Sequence, residues 1–429
     1  MNSKIGVLIF PAGEINSVEL HDALSTCVNL RLYGASSVDR HGEYIFKNYI
    51  SGVPYIRESN FLSEFNRIIK RHHIDVVIPT HDDIALFLAK EREHIKAKVL
   101  TADYKTALVC RDKKETYELF SEYPFCPKTY ETLKEFPVFI KPRKGQGSVN
   151  AKCISCAEDI PPGICLPEYT ICEYLPGHEM TVDCFTSRDG KLQAVLPRSR
   201  QRIFGGISVR GQTEAATGEI RKIAETINSK LSFLGLWYFQ IRQDQEGNYK
   251  LLEISARCAG SMCLSRGRGV NLPLLSVYAA MGKDTEILEN HYRLTVDRTF
   301  ISRYKGDFEY NRVYIDLDDT VLINGRVNLQ SIQFIYQCVN EKKQIILLTR
   351  HKADHADSAV DALQKHRISA GLFDEIIEIP FDIPKYTVIQ PDGAIFIDNA
   401  FAERKSVYKH LGIPVFDVDG IEVLLDWRT

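Results

Sequence analysis

No apolar run in this chain approaches the ~20 residues that a membrane-spanning helix needs. The N-terminal stretch MNSKIGVLIFPAGE carries one Lys and a short apolar run. That is too little for the core of a secretory signal, and it reads as a first strand followed by a turn. A surplus of one charge is also missing: 54 Lys and Arg against 56 Asp and Glu give a formal charge of −2. Such a balance offers no electrostatic reason to expect a nucleic acid or an anionic membrane as partner. The 11 cysteines form no framework. Cys153 and Cys156 make one CxxC without a second tight pair, so reduced structural thiols in a cytoplasmic protein are the expectation, rather than disulfides or zinc ligands. Repeats, low-complexity stretches and long linkers are absent. No GxGxxG follows the first strand, so dinucleotide binding has no support.

What is present is an ordinary globular composition, 44% hydrophobic and 26% charged over 429 residues, enough for about three domains. Residues 1–103 alternate strand and helix: KIGVLIF, a helix from Ser17, NLRLYGAS, a helix over 61–72, IDVVIPT, a helix from Asp82 and KVLTA. This pattern predicts a parallel sheet covered on both faces. Residues 104–306 open with a helix from Arg111 to Tyr123. They continue with strand-rich stretches and one helix over 219–234, which predicts an α+β arrangement. Residues 307–429 alternate again, predicting a second parallel α/β unit.

Chemistry-bearing residues of the middle region come in a definite order. Lys113 opens a helix and Lys141 ends an apolar strand. Gly145, Gly147 and Ser148 follow in a basic loop whose glycines let backbone N–H groups close on phosphate oxygens. CEYLPGHE then offers a strand, a turn and Glu179, suited to adenine through the backbone and ribose through the carboxylate. Gln240 and Glu253 sit on neighbouring strand candidates as oxygen donors for Mg2+. Taken in order, these pieces resemble the ATP-grasp superfamily, in particular its carbamoyl-phosphate-synthetase-like carboxylate–amine ligases, over about residues 1–300. SARCAGS and GVNLPLL are further family-like phrases. The resemblance implies ATP phosphate or adenine contacts for Lys113 and Lys141, an adenine frame from Glu173 and Leu175, ribose on Glu179, and metal ligation by Gln240 and Glu253. Arg257 would face the transferred phosphoryl group or the acyl phosphate. Where the family carries Glu-x-Asn this chain has Ser255, a weaker metal ligand. Arg198, Arg200, Arg202 and Arg210 lie in a loop-like stretch suited to an acceptor acid, with Arg266 and Arg268 as further candidates.

The C-terminal region carries VYIDLDDT, an apolar strand that delivers Asp316 and Asp318 to one side. Paired acids of this kind favour a hard cation and suit nucleophilic and acid–base work on phosphorus. With Thr349 ending IILLT, Lys385 in a loop and Asp398 ending AIFID, the segment resembles the haloacid dehalogenase-like superfamily. That implies Asp316 as nucleophile, Asp318 as general acid/base, and Mg2+ on Asp316, the Asp318 carbonyl and Asp398. Asn399 stands where relatives often carry a second acid, with Glu403 as a substitute. His351 reads as an ordinary loop residue. The 28 residues between Thr320 and Thr349 leave no room for a large cap.

The sequence thus points to a two-activity enzyme that uses ATP and Mg2+, or Mn2+. The first activity joins a small carboxylate to an amine. The second is a phosphatase for a phosphorylated small molecule. A kinase-like transfer without amine attack, or a nucleotide sensor that regulates the phosphatase, stays open. Oligomeric state is not legible.

Overall fold

The structure, a computed structural model, describes residues 4–145, 147, 149–351 and 356–428. The chain divides into two compact units, Met1–Phe300 (with Arg428–Thr429 grouped to it) and Ile301–Trp427. No helix among the described residues is long and apolar enough to cross a membrane.

The first unit begins with a five-stranded parallel sheet in the order Tyr49–Ile50, Leu30–Ala35, Ile5–Phe10, Val76–Pro79, Lys98–Val99. Apart from Arg31 and Lys98 these strands are apolar, as helices on both faces require. Helix Phe61–His72 buries Phe61, Phe65 and Ile69, one residue per turn. The strand order reverses between Ile5–Phe10 and Val76–Pro79. The loops after these two strands therefore part and leave a crevice at their carboxyl ends.

A four-stranded antiparallel sheet follows, ordered Leu192–Ser199, Glu179–Thr186, Gly235–Gln243, Tyr249–Ser255. Val182, Cys184, Trp237, Phe239 and Ile241 pack with Ile220, Ile223, Ala224 and Ile227 of helix Gly218–Lys230. Thr217 caps that helix by accepting from the Ile220 N–H. Strand alternation then commits Thr181, Asp183, Tyr238, Gln240, Glu253 and Ser255 to the opposite face. The N-terminal sheet and this region share a core, in which Val7, Ile9 and Leu20 meet Leu196, Leu272 and Val277. A smaller antiparallel sheet carries Val138–Pro142 and Tyr169–Glu173.

Two local expectations change. The helix expected from Arg111 is two helices, Tyr104–Arg111 and Lys113–Leu119. They break at Asp112, which caps the second by accepting from the Lys114 N–H and pairs with Arg143 at 2.7 Å. The arginine-bearing loop is a β-hairpin, Arg202–Phe204 with Ile207–Gln212, extended by Thr295–Asp297.

In the second unit five parallel strands run in the order Glu375–Glu378, Gln344–Thr349, Arg312–Ile315, Ala394–Ile397, Val415–Phe416. Val313, Ile315 and Leu347 face the core with Phe334 and Ile335 of helix Leu329–Asn340. Tyr314, Ile346 and Phe396 face the other side. The order reverses between the first strand, Arg312–Ile315, and Ala394–Ile397, the strands that lead to Asp316 and Asp398. A two-strand hairpin, Leu322–Ile323 with Arg326–Val327, fills part of the short stretch before Thr349.

Candidate functional sites

In the first unit one cavity is lined by Lys113, Lys141, Gly145, Glu173, Leu175, Glu179, Gln240 and Glu253, with apolar walls from Phe139, Val149 and Leu252. Lys113 opens its helix, donates to the Gly145 carbonyl at 3.0 Å and stands 3.8 Å from the Glu253 carboxylate. Lys141 is buried over the Tyr117 ring and donates to the Leu252 carbonyl at 2.9 Å. Burial pulls its pKa below the ordinary lysine value. Glu179 is held by Arg200 at 2.6 Å and Arg242 at 3.5 Å. Register sets Thr181 beside Gln240 and Gln240 beside Glu253, so three oxygen-bearing side chains cross the cleft floor in one row.

Gly147 and Gly206 line a second, adjoining cavity. Gly206, at the turn of the hairpin, has φ +77°, and a Cβ there would stand 2.1 Å from the Gly147 carbonyl oxygen. Only glycine lets the hairpin turn meet the phosphate-loop candidate this closely. Ser148 lies outside the described residues.

A second cavity continues from the first through Val149, Arg200, Gln240 and Glu253. Its other walls are Asn16, Thr80 and His81, from the carboxyl ends of the N-terminal sheet, together with Tyr238 and Arg257. Asp82, a residue the sequence reading did not single out, starts the helix beside this crevice. Arg257 binds it with two bonds, Nε to Oδ1 at 2.7 Å and Nη2 to Oδ2 at 2.8 Å, and the Ser255 hydroxyl donates to Oδ1 at 2.8 Å. Burial opposes ionisation of Asp82, but the guanidinium outweighs it and pulls the carboxyl down to about 2. Ser255, expected beside a metal, is therefore engaged by Asp82.

The acceptor-acid candidates are partnered as well. Arg198 is buried against Asp183 and bonds Ser261 at 2.8 Å. Arg202 and Arg210 flank Asp297 at 2.7 and 3.9 Å. Arg266 stands 3.7 Å from Asp22, and Arg268 stands 2.7 Å from Glu289. Of these candidates, Arg200 lines both cavities. The Glu173 carboxylate accepts from the Lys128 N–H at 2.8 Å, which leaves its adenine-framing part to the backbone.

In the second unit Lys385 Nζ bridges Asp316 Oδ1 at 2.7 Å and Asp398 Oδ2 at 2.6 Å. All three are buried. Burial drives both carboxyls above their ordinary range, against the pull of the ammonium. The other Asp398 oxygen accepts from the Ala400 N–H at 2.7 Å. Thr349 is buried at the end of its strand. His351 is a correction: it is buried, and its Nδ1 meets Asp318 Oδ1 at 2.9 Å and Oδ2 at 3.0 Å. Glu403, the expected substitute for the missing second acid, pairs with Arg350 at 3.0 Å.

Asp316, Asp398 and the Asp318 carbonyl are hard oxygen donors of the kind Mg2+ takes. Among the described residues no three His, Cys, Asp or Glu side chains gather at metal-ligand spacing. A cation at either site would draw its remaining ligands from carbonyls, the Gln240 amide, water or phosphate oxygens.

Residues 166–299 match a family described as ATP-grasp in the biosynthetic pathway with Ter operon. No curated protein matches the chain. Among solved structures, the biotin carboxylase domain of 2-oxoglutarate carboxylase from Hydrogenobacter thermophilus, solved with MgADP, ADP and bicarbonate, is similar at TM-score 0.55 and 13% identity. That match covers 69% of this chain and 74% of the other. N5-carboxyaminoimidazole synthetase from Staphylococcus aureus, complexed with ADP, aligns at TM-score 0.55 and 14% identity over 68% and 80% of the two chains. L-amino acid ligase from Bacillus licheniformis aligns at 0.53 and 15% over 65% and 74%. The matched family is an ATP-grasp family over residues 166–299, and the solved structures share the fold of most of this chain.

Proposed function

We propose that the first unit is an ATP- and Mg2+-dependent ligase that activates a small carboxylate as an acyl phosphate for attack by an amine. The observation that carries this reading is the joined pair of cavities. One is lined by two lysines, a ribose-sized carboxylate position at Glu179 and the Gln240–Glu253 pair. The other opens from it at the same two residues toward the N-terminal crevice. ATP in the first and an acid in the second would meet above Gln240 and Glu253. Lys141 and Lys113 supply positive charge to the phosphates, and the Gly145–Gly147 loop supplies backbone N–H groups. Bound Mg2+, held by Glu253 and Gln240, would offset charge on the transferring phosphoryl group. Arg257 lines the acid side as an ion pair with Asp82. Support also comes from the similar solved structures, which include an L-amino acid ligase and an ADP-bound synthetase. Hydroxylamine added with ATP and a carboxylic acid should trap the acyl phosphate as a hydroxamate. ADP formation on an acid substrate with no hydroxamate would favour transfer to a hydroxyl instead.

For the second unit we propose a phosphatase of the haloacid dehalogenase type, a reading that rests on motif order and on Lys385 between Asp316 and Asp398. Asp316 would attack phosphorus to give an aspartyl phosphate, with Asp318 protonating the leaving alcohol and then activating water. His351 orients Asp318 through its Nδ1 contact. Phosphate release from a panel of phosphomonoesters tests it, with loss of at least about 10³-fold expected in Asp316→Asn.

A further inference from the structure

The charged side chains that line the second cavity are already paired. Glu14 stands 2.8 Å from Arg40, Arg200 2.6 Å from Glu179, Arg257 2.7 Å from Asp82, and Glu253 3.8 Å from Lys113. His81 stands 3.8 Å from the Asp83 carboxylate. Arg242 adds a second cation to Glu179 at 3.5 Å, which leaves a surplus of one positive charge there, suited to one carboxylate. A further ammonium or carboxylate on the same acid would leave water with no free opposite charge to meet it.

Neutral hydrogen-bonding groups are left over by contrast. Thr181 lines the cavity and is 1% exposed, and its hydroxyl oxygen is buried without a hydrogen-bond partner. Buried hydroxyls left unmet are costly and uncommon. Ser261 lines the same cavity, and its oxygen accepts from Arg198 Nε at 2.8 Å, so its own proton is available to a second partner. Thr181 lies opposite Arg198 in strand register, so the two hydroxyls flank one arginine. Thr181 also lies opposite Gln240 on its other side, and neighbouring strands stand about 5 Å apart. A carboxylate activated above Gln240 would bring a hydroxyl on its second or third carbon to Thr181.

We propose that this cavity takes a small hydroxy acid with no charge beyond its one carboxylate, and that the Thr181 hydroxyl, with Ser261, reads the hydroxyl of that acid. The inference rests on the ligase reading of the cleft. Thr181 is then a specificity-determining residue, because an acid that lacks the hydroxyl leaves it buried and unmet.

Hydroxamate formation by the full chain with Mg-ATP and hydroxylamine compares acids of one chain length: lactate and 3-hydroxypropionate against propionate, alanine and malonate. For one of the hydroxy acids kcat/KM should exceed that of the other three compounds at least about tenfold. In Thr181→Val, a change of similar volume, the ratio of hydroxy acid to propionate should fall to within about threefold of unity. Propionate, alanine or malonate used as well as the hydroxy acids would overturn the inference and leave the ligase reading intact. A ratio unchanged in a folded Thr181→Val would do the same. No hydroxamate from any of the acids, in a chain that binds ATP, would overturn the ligase reading and the inference with it. If the variant does not fold, the ranking of acids on the parent chain still decides.

Discussion

Asp82 shows what a single side chain does here. It starts a helix of the N-terminal sheet region and binds an arginine 175 positions away. Its carboxyl pKa falls to about 2 in the folded chain from an ordinary 3.8. A carboxyl with a depressed folded pKa contributes stability that is present above the unfolded value and is lost as pH falls through the folded one. The window for Asp82 is therefore roughly pH 4 to 2. Urea unfolding should place Asp82→Asn about 2 kcal/mol below the parent near pH 6, with the gap closing toward pH 2. A gap independent of pH would contradict the ion pair. The partners of Ser255 and Arg257 were not legible in the sequence, because a hydroxyl or guanidinium finds its acid through the fold rather than through spacing. His351 has a nearer clue, since it follows Thr349 by two residues at a strand end. Only the fold shows it turned inward to Asp318.

Elements with a clear period were legible, and short polar ones were not. Helix Phe61–His72 repeats its apolar residues every turn, and strand Glu179–Thr186 alternates, so both appear where the pattern puts them. The hairpin Arg202–Phe204 with Ile207–Gln212 escaped because its strands are short, arginine-rich and largely exposed. Its stability comes from pairing with Thr295–Asp297, about 85 residues later. The break at Asp112 escaped for a related reason, since no proline or glycine marks it. The hairpin turn also yields a test. Gly206→Ala puts a methyl against the Gly147 carbonyl at a positive φ, so the turn must retreat from the loop below. The KM for ATP should rise at least about fivefold, while the melting temperature shifts little because the half-buried Gly206 is flanked by exposed Gly205 and Ile207 and no apolar core is disturbed. An unchanged KM would mean that the glycine contact does not shape the nucleotide cleft.

At the scale of the whole molecule, two parallel sheets each place their working residues where the strand order reverses, the position that the physics of open α/β sheets favours for ligands. In the first unit that crevice meets the polar face of an antiparallel sheet. In the second it holds the buried Asp316–Lys385–Asp398 trio. Separate cores and separate polar clusters predict separable chemistry. Lys141→Ala should lower ADP formation about 10²-fold and leave phosphomonoester hydrolysis unchanged. Asp316→Asn should do the reverse. If either variant, folded, lost both activities, the two sites would not be independent. The proposal of two chemistries rests on motif order in the sequence, because phosphate chemistry requires particular residues at strand ends and loops. The identity of the proposed acid is a different matter. On that proposal it would depend on the shape of a cavity assembled from Asn16, Thr80, His81, Tyr238 and Arg257, residues scattered over some 240 positions and individually ordinary.

The most direct measurement is ADP release from Mg-ATP against a panel of small carboxylic acids, each with and without amines. Release that needs an acid and an amine together is the predicted result. Release on an acceptor alone, stoichiometric with a stable phosphorylated product and indifferent to amines, would contradict the ligase account.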